Sequence, residues 1–247
     1  MAIPTILATP NVVLRSETGS GKTLAYLVPL IEYLSDYSLN TKKIHREESG
    51  TMAIIFSPTR ELAVQIDMEL RKLLKLFYYM VCTTIMGGES PQREKARLRK
   101  GCVILICTPG RLLYHLQSTA SLKLDNLKYL IFDEADRMLD LGFEREMNQC
   151  LDLIKSKCPK SKFMPNEPAI ENMTDQDKKL KKQKFLSREL RINFVSATMN
   201  AQVEALGSRL MHDYAKVGFS MKASGYEGDA KETDEVEDMV ASIPKQI

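Results

Sequence analysis

Short apolar runs rich in β-branched residues recur along this 247-residue chain, and helical patterns separate them. Such alternation is typical of βαβ units, in which each crossover helix brings the chain back to start a parallel strand. It predicts an α/β fold with a single doubly wound parallel sheet over residues 1–220. The predicted strands are Val12–Arg15, Met52–Ser57, Val81–Met86, Val103–Cys107, Tyr129–Asp133, Ile192–Ser196 and Tyr214–Val217. The predicted helices are Lys22–Ser35, Arg60–Phe77, Arg111–Gln117, Phe143–Ile154 and Asn200–Met211.

Two segments do not fit this alternation. Residues 155–191 are rich in lysine and contain Pro159, Pro165 and Pro168, which would interrupt any long helix or strand. We expect a basic, mobile surface insertion there, either an ordinary solvated loop or a contact to nucleic acid. Residues 221–247 are rich in acids and poor in apolar residues. We expect them to form a flexible acidic linker.

Composition excludes some classes of protein but assigns no function. The chain has no run of about 18 apolar residues and no basic N-terminal stretch before an apolar core, so neither a transmembrane helix nor a signal peptide is indicated. An intracellular protein without a membrane partner is therefore expected. The five cysteines lack C-x-x-C spacing, and we interpret them as reduced core residues rather than zinc ligands or disulfides. A net charge of +3 is too small to indicate a nucleic-acid partner.

The run S-E-T-G-S-G-K-T at residues 16–23 directly follows the first predicted strand and precedes the first predicted helix. A glycine-rich turn in this position points backbone N–H groups and the positive end of a helix dipole at one spot suited to phosphate. The run matches the P-loop pattern, except that Ser16 stands where the pattern has glycine. We expect Lys22 to contact terminal phosphates and Thr23 to ligate Mg²⁺. The candidate cofactor-binding residues are Thr18, Gly19, Ser20, Gly21, Lys22 and Thr23.

Two acidic residues end the predicted strand Tyr129–Asp133. A strand that ends in Asp133 and Glu134 places two carboxylates at the carboxyl edge of the sheet, where ligands bind in open α/β folds. Alone, such a pair would suit a solvated turn equally well. Beside a P-loop, Asp133 is a candidate Mg²⁺ ligand and Glu134 is a candidate for orienting the attacking water. The candidate catalytic residues are therefore Lys22, Asp133 and Glu134.

The run D-E-A-D at residues 133–136, together with the P-loop, resembles the DEAD-box family of RNA helicases, and four further stretches occur in that family's order. The resemblance covers residues 3–220. It implies a RecA-like P-loop domain that binds ATP and Mg²⁺, from a protein that couples ATP hydrolysis to local opening of RNA duplexes. It implies the RNA-binding residues Pro58, Thr59, Arg60, Gly87, Gly88, Thr108, Pro109, Gly110 and Arg111. It also implies that the nucleotide site is coupled to RNA through Asp136, Ser196 and Thr198.

The residue types in these stretches suit contact with an RNA backbone. Hydroxyl and guanidinium groups at predicted helix starts bind phosphates without reading base edges, and glycines allow close approach of the strand. We therefore expect salt-sensitive binding with little sequence preference. For Arg60 and Arg111, a structural ion pair with an acid such as Glu61 is an alternative, and both roles can hold at once.

The resemblance also implies parts of the parent protein that this sequence does not contain. Family members read adenine with an upstream motif that contains an aromatic residue and a glutamine, but here no Phe precedes the P-loop and no Gln precedes Gln65. They also carry a second helicase domain, which supplies arginines against the γ-phosphate and half of the RNA groove. We expect that domain to be the partner of this chain. Alone, the chain is expected to be a monomer that binds adenine nucleotide weakly and hydrolyses ATP very slowly.

Looser similarities concern the cellular process. Residues 137–144, R-M-L-D-L-G-F-E, and residues 242–246, S-I-P-K-Q, resemble a eukaryotic subgroup that acts in assembly of the large ribosomal subunit. This implies a nuclear or nucleolar location.

Two other functions stay open at this point. A non-catalytic RNA-binding or scaffold module could keep the same fold, although the intact Lys22, Asp133 and Glu134 argue against it. A P-loop ATPase that acts on DNA or protein is disfavoured by the P-T-R-E-L and T-P-G-R stretches.

Overall fold

The computed structural model describes residues 2–16, 19–158, 190–211 and 214–218. Its strands are β1 (Asn11–Arg15), β2 (Ala53–Phe56), β3 (Cys82–Ile85), β4 (Ile104–Cys107), β5 (Tyr129–Phe132), β6 (Arg191–Ser196) and β7 (Ala215–Val217). These strands form one seven-stranded sheet in the order β3-β4-β2-β5-β6-β1-β7. Every neighbouring pair is parallel. The predicted α/β fold with a single doubly wound parallel sheet is confirmed.

Helices cover both faces of this sheet. They are α1 (Ala2–Ala8), α2 (Lys22–Asn40), α3 (Arg46–Ser49), α4 (Arg60–Leu73), α5 (Pro91–Arg99), α6 (Pro109–Ser118), α7 (Ala135–Asp140), α8 (Glu144–Lys157) and α9 (Ala201–Leu210), and the 3-10 turn Leu74–Leu76 follows α4. Each predicted strand and helix is present, with shifted ends. Helices α1, α3, α5 and α7 were not predicted. Three of them are short, and α5 buries only Glu94 and Leu98, so it has almost no apolar periodicity to detect.

Burial explains why the central strands are continuous apolar runs. Every residue of β2, β4 and β5 is buried, as expected for parallel strands with helices on both faces. On one face, the rings of Phe56, Phe132 and Phe194 stack across three strands, with centroid distances of 4.7 and 4.5 Å. All five cysteines are buried and free, which confirms their interpretation as reduced core residues.

A buried arginine at the start of β6 fixes the segment that leads into β1. The Nη2 of Arg191 donates hydrogen bonds to the carbonyl oxygens of Ile6, Leu7 and Thr9 at 2.8, 3.0 and 2.9 Å. Its Nε donates to the hydroxyl of Tyr129 at 3.0 Å. The last carbonyl groups of a helix have no partner within the helix. Arg191 therefore supplies the missing donors for α1 and attaches this helix to the sheet.

The predicted insertion at residues 155–191 begins and ends within regular structure. Helix α8 extends to Lys157, and β6 starts at Arg191. Residues 159–189 lie outside the described residues, as do the predicted linker at 221–247 and the candidate residue Thr18. The predictions made for them stay predictions.

Candidate nucleotide and nucleic-acid site

The candidate residues divide along the carboxyl edge of the sheet. The neighbouring strands β5, β6 and β1 lead into Asp133, Ser196 and the glycine turn. The neighbouring strands β3, β4 and β2 lead into the glycine doublet, Thr108 and Thr59. Because all the strands are parallel, all six turns lie at one edge, where ligands bind in this fold class. One half of the edge thus holds the predicted nucleotide residues, and the other half holds the predicted RNA-binding residues.

The glycine turn leads directly into α2. Gly21 is the N-cap of this helix with φ 84°, a left-handed conformation that side chains rarely adopt. A Cβ at Gly19 or Gly21 would meet no atom within 4 Å, so the space beside the turn is open. The Ser16 N–H donates to the carbonyl of Ser196 at 3.0 Å, which ties the start of the turn to the end of β6. The geometry is that of an anion-binding helix N-terminus.

Lys22 is the first residue of α2 and is 8% exposed. Its Nζ is buried, and no other described residue offers it a hydrogen bond. A buried ammonium group without a partner is unfavourable. A phosphate group bound at the glycine turn would provide the missing partner.

Asp133 lies at the end of β5, in contact with α2. Burial raises the pKa of its carboxyl to about 6, although a hydrogen bond from Tyr26 and the positive charge of Lys22 act in the opposite direction. The Tyr26 hydroxyl donates to Oδ2 of Asp133 at 2.8 Å. Thr23 acts to lower the pKa of the same hydroxyl, against the larger raising effects of burial and Asp133. The two predicted Mg²⁺ ligands, Thr23 and Asp133, thus both lie near Tyr26.

Tyr26 was not among the predicted site residues. Burial raises the pKa of its hydroxyl well above the ordinary value, so the group stays protonated and acts as a donor. Its position four residues after Lys22 on α2 was an available signal, because residues at i and i+4 share one face of a helix.

Glu134 has the only positive φ among the described non-glycine residues, at 53°. Such strain persists where the surrounding structure enforces it, and it is common at active sites. Arg137 Nη1 lies 3.2 Å from Oε2 of Glu134. The turn between β5 and α7 thus places Glu134 directly after the buried Asp133.

The predicted coupling residues Asp136, Ser196 and Thr198 are in direct contact. Oδ2 of Asp136 accepts hydrogen bonds from the backbone N–H and the hydroxyl of Thr198 at 2.9 and 2.8 Å. The Ser196 hydroxyl donates to the carbonyl of Thr198 at 2.6 Å. Burial acts to raise the pKa of Asp136, but the hydrogen bonds from Thr198 and others hold it below the ordinary value. The turn after β6 is thus attached to α7.

On the other half of the edge, Arg60 lies against the glycine doublet. A Cβ at Gly88 would stand 2.5 Å from Nη1 of Arg60, and one at Gly87 would stand 3.6 Å from Nη2. Thr59 is the N-cap of α4, and its Oγ1 accepts from the Leu62 N–H at 3.3 Å. The P-T-R stretch of residues 58–60 and the glycine doublet therefore form one surface.

The T-P-G-R stretch begins α6. Thr108 is the N-cap without a side-chain capping bond, Pro109 is the first helical residue, and a Cβ at Gly110 would meet nothing within 4 Å. Arg111 donates from Nε to Oε2 of Glu94 at 2.5 Å and from Nη2 to the carbonyl of Glu89 at 3.1 Å. The structural ion pair considered for Arg111 is thus present, but its partner is Glu94 rather than Glu61. Glu94 was not a predicted site residue.

The donor set of the nucleotide half suits Mg²⁺. Among the described residues, no three His, Cys, Asp or Glu side chains are grouped to hold a metal ion. A Mg²⁺ ion that is held by one or two protein oxygens, phosphate oxygens and waters needs no such group. The Thr23 hydroxyl and the Asp133 carboxylate are oxygen ligands of this kind, so the residues present fit the ion.

A profile of the DEAD/DEAH box helicase family matches residues 1–206. The chain belongs to this family. It is 38% identical over 240 residues to the ATP-dependent RNA helicase DBP7 of Phaeosphaeria nodorum, covering 95% of this chain and 26% of that protein. It is 48% identical over 162 residues to the ATP-dependent DNA helicase DDX31 of Dictyostelium discoideum, covering 66% and 17%.

The fold of this DEAD/DEAH box chain agrees with a solved relative. The crystal structure of a DEAD box protein from the hyperthermophile Methanococcus jannaschii superposes with a TM-score of 0.61 at 30% identity, covering 87% of this chain and 47% of that one. The chain spans about a quarter or less of the length of the two curated relatives. Across the described ranges, the helices are too short or too polar to cross a membrane.

Proposed function

We propose that this chain is the ATP-binding domain of a DEAD-box RNA helicase, whose parent couples ATP hydrolysis to local unwinding of RNA duplexes or remodelling of RNA–protein complexes. The observation that carries this proposal is the division of one sheet edge into a phosphate-binding half and a half built from helix starts, glycines and guanidinium groups. The pairing of β2 with β5 joins the two halves within one sheet.

On the nucleotide half, the first turn of α2 binds the phosphates of ATP, with Gly19, Ser20 and Gly21 in the preceding turn. Lys22 neutralises the terminal phosphates, and its unpartnered Nζ supports this role. Thr23 and Asp133 would hold Mg²⁺, which would neutralise charge on the phosphates of ATP. Tyr26 keeps Asp133 in a fixed orientation through its hydrogen bond.

Glu134 is the proposed general base that orients and deprotonates the attacking water. It follows Asp133 in a strained turn, and Arg137 contacts its carboxylate. A positioned general base contributes roughly 10²- to 10⁴-fold to the rate. Its position beside the buried metal ligand supports this assignment.

On the other half of the edge, the Arg60 guanidinium, the Thr108 hydroxyl and the glycines at 87, 88 and 110 bind the sugar–phosphate backbone. Pro58, Thr59 and Pro109 shape the helix starts that present these groups. Such contacts fix the position of a strand without reading its sequence, so binding weakens steeply with salt.

Two groups of contacts support a coupling role for the acidic turn, one within the nucleotide half and one that reaches the other half. Asp136 holds Thr198 and, through it, Ser196 at the end of β6. Arg137 contacts Glu134. The Asp133 N–H donates to the carbonyl oxygen of Phe56, the last residue of β2, at 3.0 Å. This bond joins the acidic turn to the strand that leads into Thr59 and Arg60.

A DNA helicase is the second candidate, because one relative at 48% identity bears the name ATP-dependent DNA helicase DDX31. Phosphate contacts are common to both nucleic acids, and only contacts to the 2′-hydroxyl distinguish RNA. RNA is favoured because the relative that covers 95% of the chain is named an RNA helicase.

Phosphate release by the full-length protein would decide between these functions. It should be measured without nucleic acid, with single-stranded RNA, and with single-stranded DNA of the same sequence. Stimulation by RNA supports the proposal, and stimulation by DNA alone supports the second candidate. Hydrolysis that responds to neither contradicts both.

A role in ribosome assembly and a nucleolar location rest on the R-M-L-D-L-G-F-E stretch at 137–144 and on S-I-P-K-Q at 242–246. They stay predictions, as do the monomeric state and the partnership with a second helicase domain. Fluorescence imaging of the tagged full-length protein would test the location.

A further inference from the structure

A buried polar cluster joins α5 to α6 behind the nucleic-acid half of the edge. Its carboxylate, Glu94, is 0% exposed and accepts hydrogen bonds from Arg111 Nε and from His115 Nε2 at 2.8 Å. His115 is also 0% exposed, and its Nδ1 lies 2.8 Å from Oγ1 of Thr119. The cluster is thus a chain of contacts from Thr119 to Arg111.

The charges of this cluster follow from its contacts. Burial acts to raise the pKa of Glu94, but hydrogen bonds from His115 and Arg111 hold it below the ordinary value. Burial lowers the pKa of His115, so the ring is neutral near pH 7. Nε2 then carries the proton that it donates to Glu94, and Nδ1 accepts from Thr119. One carboxylate and one guanidinium remain as the charged pair.

Stability alone is a poor reason for this arrangement. Oε1 of Glu94 is buried, and no described residue donates a hydrogen bond to it. A buried ion pair commonly gains little over well-packed apolar residues, since both charges must be desolvated. A pair whose carboxylate is buried with an unsatisfied oxygen, and whose guanidinium is only partly exposed, therefore requires another explanation.

Arg111 connects the cluster to the turn that follows the glycine doublet. Its Nη2 donates to the carbonyl oxygen of Glu89 at 3.1 Å, and its guanidinium carbon lies 5.2 Å from the centre of the Tyr114 ring. The Glu89 side chain is held separately by Arg97 at 2.6 Å in an exposed ion pair. Arg111 is thus fixed on one side by Glu94 and holds the turn on the other.

We infer that Glu94 and His115 are positioning residues for nucleic-acid binding: they fix Arg111, which fixes the turn at residues 87–90 relative to the start of α6. The inference rests on the proposed function, because these two segments belong to the proposed backbone-binding surface. A surface that is already ordered loses less conformational freedom when a strand binds. In this role, Arg111 acts by holding the Glu89 carbonyl in place, in addition to any contact with a phosphate.

Hydrogen exchange on the 247-residue chain, without nucleic acid, tests the structural half of the inference. Glu94→Gln removes the charge that holds Arg111, and Arg111→Lys keeps the charge but cannot bond Glu94 and Glu89 together. Both variants should accelerate amide exchange at residues 87–90 by about tenfold, corresponding to about 1.4 kcal/mol of lost local stability. Glu144→Gln is the matched control, because it makes the same change of charge at an exposed position.

Binding of fluorescein-labelled decauridylate, followed by anisotropy, tests the functional half. Glu94→Gln and Arg111→Lys should each weaken binding by about tenfold, and His115→Gln by less, since it leaves the pair of Glu94 and Arg111 intact. The Kd for Mg-ADP should stay unchanged in all three variants, because the cluster is on the other half of the edge. Glu144→Gln should bind the RNA as the unaltered chain does.

The outcomes separate the inference from the proposed function. Unchanged exchange at residues 87–90 in both variants, or unchanged RNA affinity despite faster exchange, overturns the inference alone. If the unaltered chain binds no RNA at any salt concentration, the backbone-binding surface proposed for this half of the edge fails, and so does the binding role of Glu94. Phosphate release by the full-length protein tests the helicase function separately. Loss of ADP affinity in Glu94→Gln would show that this variant misfolds. Amide exchange and RNA affinity of Arg111→Lys then decide whether the inference holds.

Discussion

The hydroxyl of Tyr26 and the carboxylate of Asp133 form a buried hydrogen bond of 2.8 Å between residues 107 positions apart in sequence. Tyr26→Phe removes only this hydroxyl. It should lower stability by about 1 kcal/mol, the typical net value of one hydrogen bond. It should also weaken Mg-ADP binding about tenfold, while ADP binding in EDTA changes little, because Asp133 loses its orientation. Isothermal titration of ADP with and without Mg²⁺ measures the two affinities. Tyr79→Phe is the control, because it removes a tyrosine hydroxyl before the amino end of β3, at the opposite edge of the sheet. Equal losses with and without Mg²⁺ would contradict the role of Tyr26.

Lys22→Ala should abolish measurable ADP binding without destabilising the chain. The Nζ of Lys22 is buried and lacks a hydrogen-bond partner among the described residues, so its removal relieves an unfavourable burial. Because the variant also loses the favourable charge of Lys22 near Asp133, thermal unfolding without nucleotide should occur at about the same temperature. A variant that keeps its ADP affinity would exclude the P-loop assignment. Lys72→Ala, which breaks only an exposed ion pair with Glu69, serves as the control.

Gly88→Ala should weaken RNA binding more than it weakens the fold. Gly88 and Gly142 have nearly the same φ, 80° and 81°, so alanine strains the backbone equally at both positions. Only at Gly88 would the new Cβ displace the Arg60 guanidinium, from which it would be 2.5 Å away. Both variants should lose about 1 kcal/mol of stability, and only Gly88→Ala should lose RNA affinity in an anisotropy titration. Equal RNA affinities would remove Arg60 from the binding surface.

Arg191→Lys should lower the free energy of unfolding by about 2 kcal/mol or more, since charge-assisted hydrogen bonds are the strong ones. A lysine cannot reach the Tyr129 hydroxyl and the carbonyl groups at the end of α1 at once. Urea unfolding measures the loss. Arg71→Lys alters an exposed i,i+4 pair with Asp67 and should cost less than about 1 kcal/mol. A comparable effect of the two substitutions would show that α1 contributes little.

His115 should make the fold less stable in weak acid. Burial, with smaller contributions from the charges of Arg111 and Lys95, holds its pKa below the ordinary value despite the opposing effect of Glu94. Below about pH 6.5, His115 is protonated in the unfolded chain but stays neutral in the folded chain. The free energy of unfolding therefore falls as pH falls. The lowered pKa values of Glu94 and Asp136 act only at lower pH.

Urea unfolding of the unaltered chain and of His115→Gln between pH 7.5 and 5.5 isolates this effect. Asp133, with its pKa raised to about 6, acts in the opposite direction in both proteins and cancels in the comparison. The variant should lose less stability on acidification, by at most about 1.4 kcal/mol per pH unit. Parallel pH profiles would show that His115 does not titrate differently on folding.

Much of the site could be predicted because its elements are local. The P-loop, the acidic run at 133–136 and the T-P-G-R stretch each depend on a few neighbouring residues and on the strand or helix beside them. The same locality explains the predicted strands, since burial on both faces leaves an unbroken apolar run such as Ile104–Cys107. Helix α5 escaped prediction because its sequence, P-Q-R-E-K-A-R-L-R, shows almost no apolar face.

The sequence by itself determined the βαβ alternation, the family and the order of the motifs along the chain. Only the tertiary structure decided which side chains meet: Tyr26 with Asp133, Arg111 with Glu94 rather than Glu61, and Arg191 with Ile6, which is 185 positions away. The hydrophobic pattern along the chain reflects whether each residue is itself buried, so it can be read without knowing which residue it contacts. The partner of a buried polar group depends instead on strand order and helix packing, which bring distant residues together where water no longer competes for their hydrogen bonds.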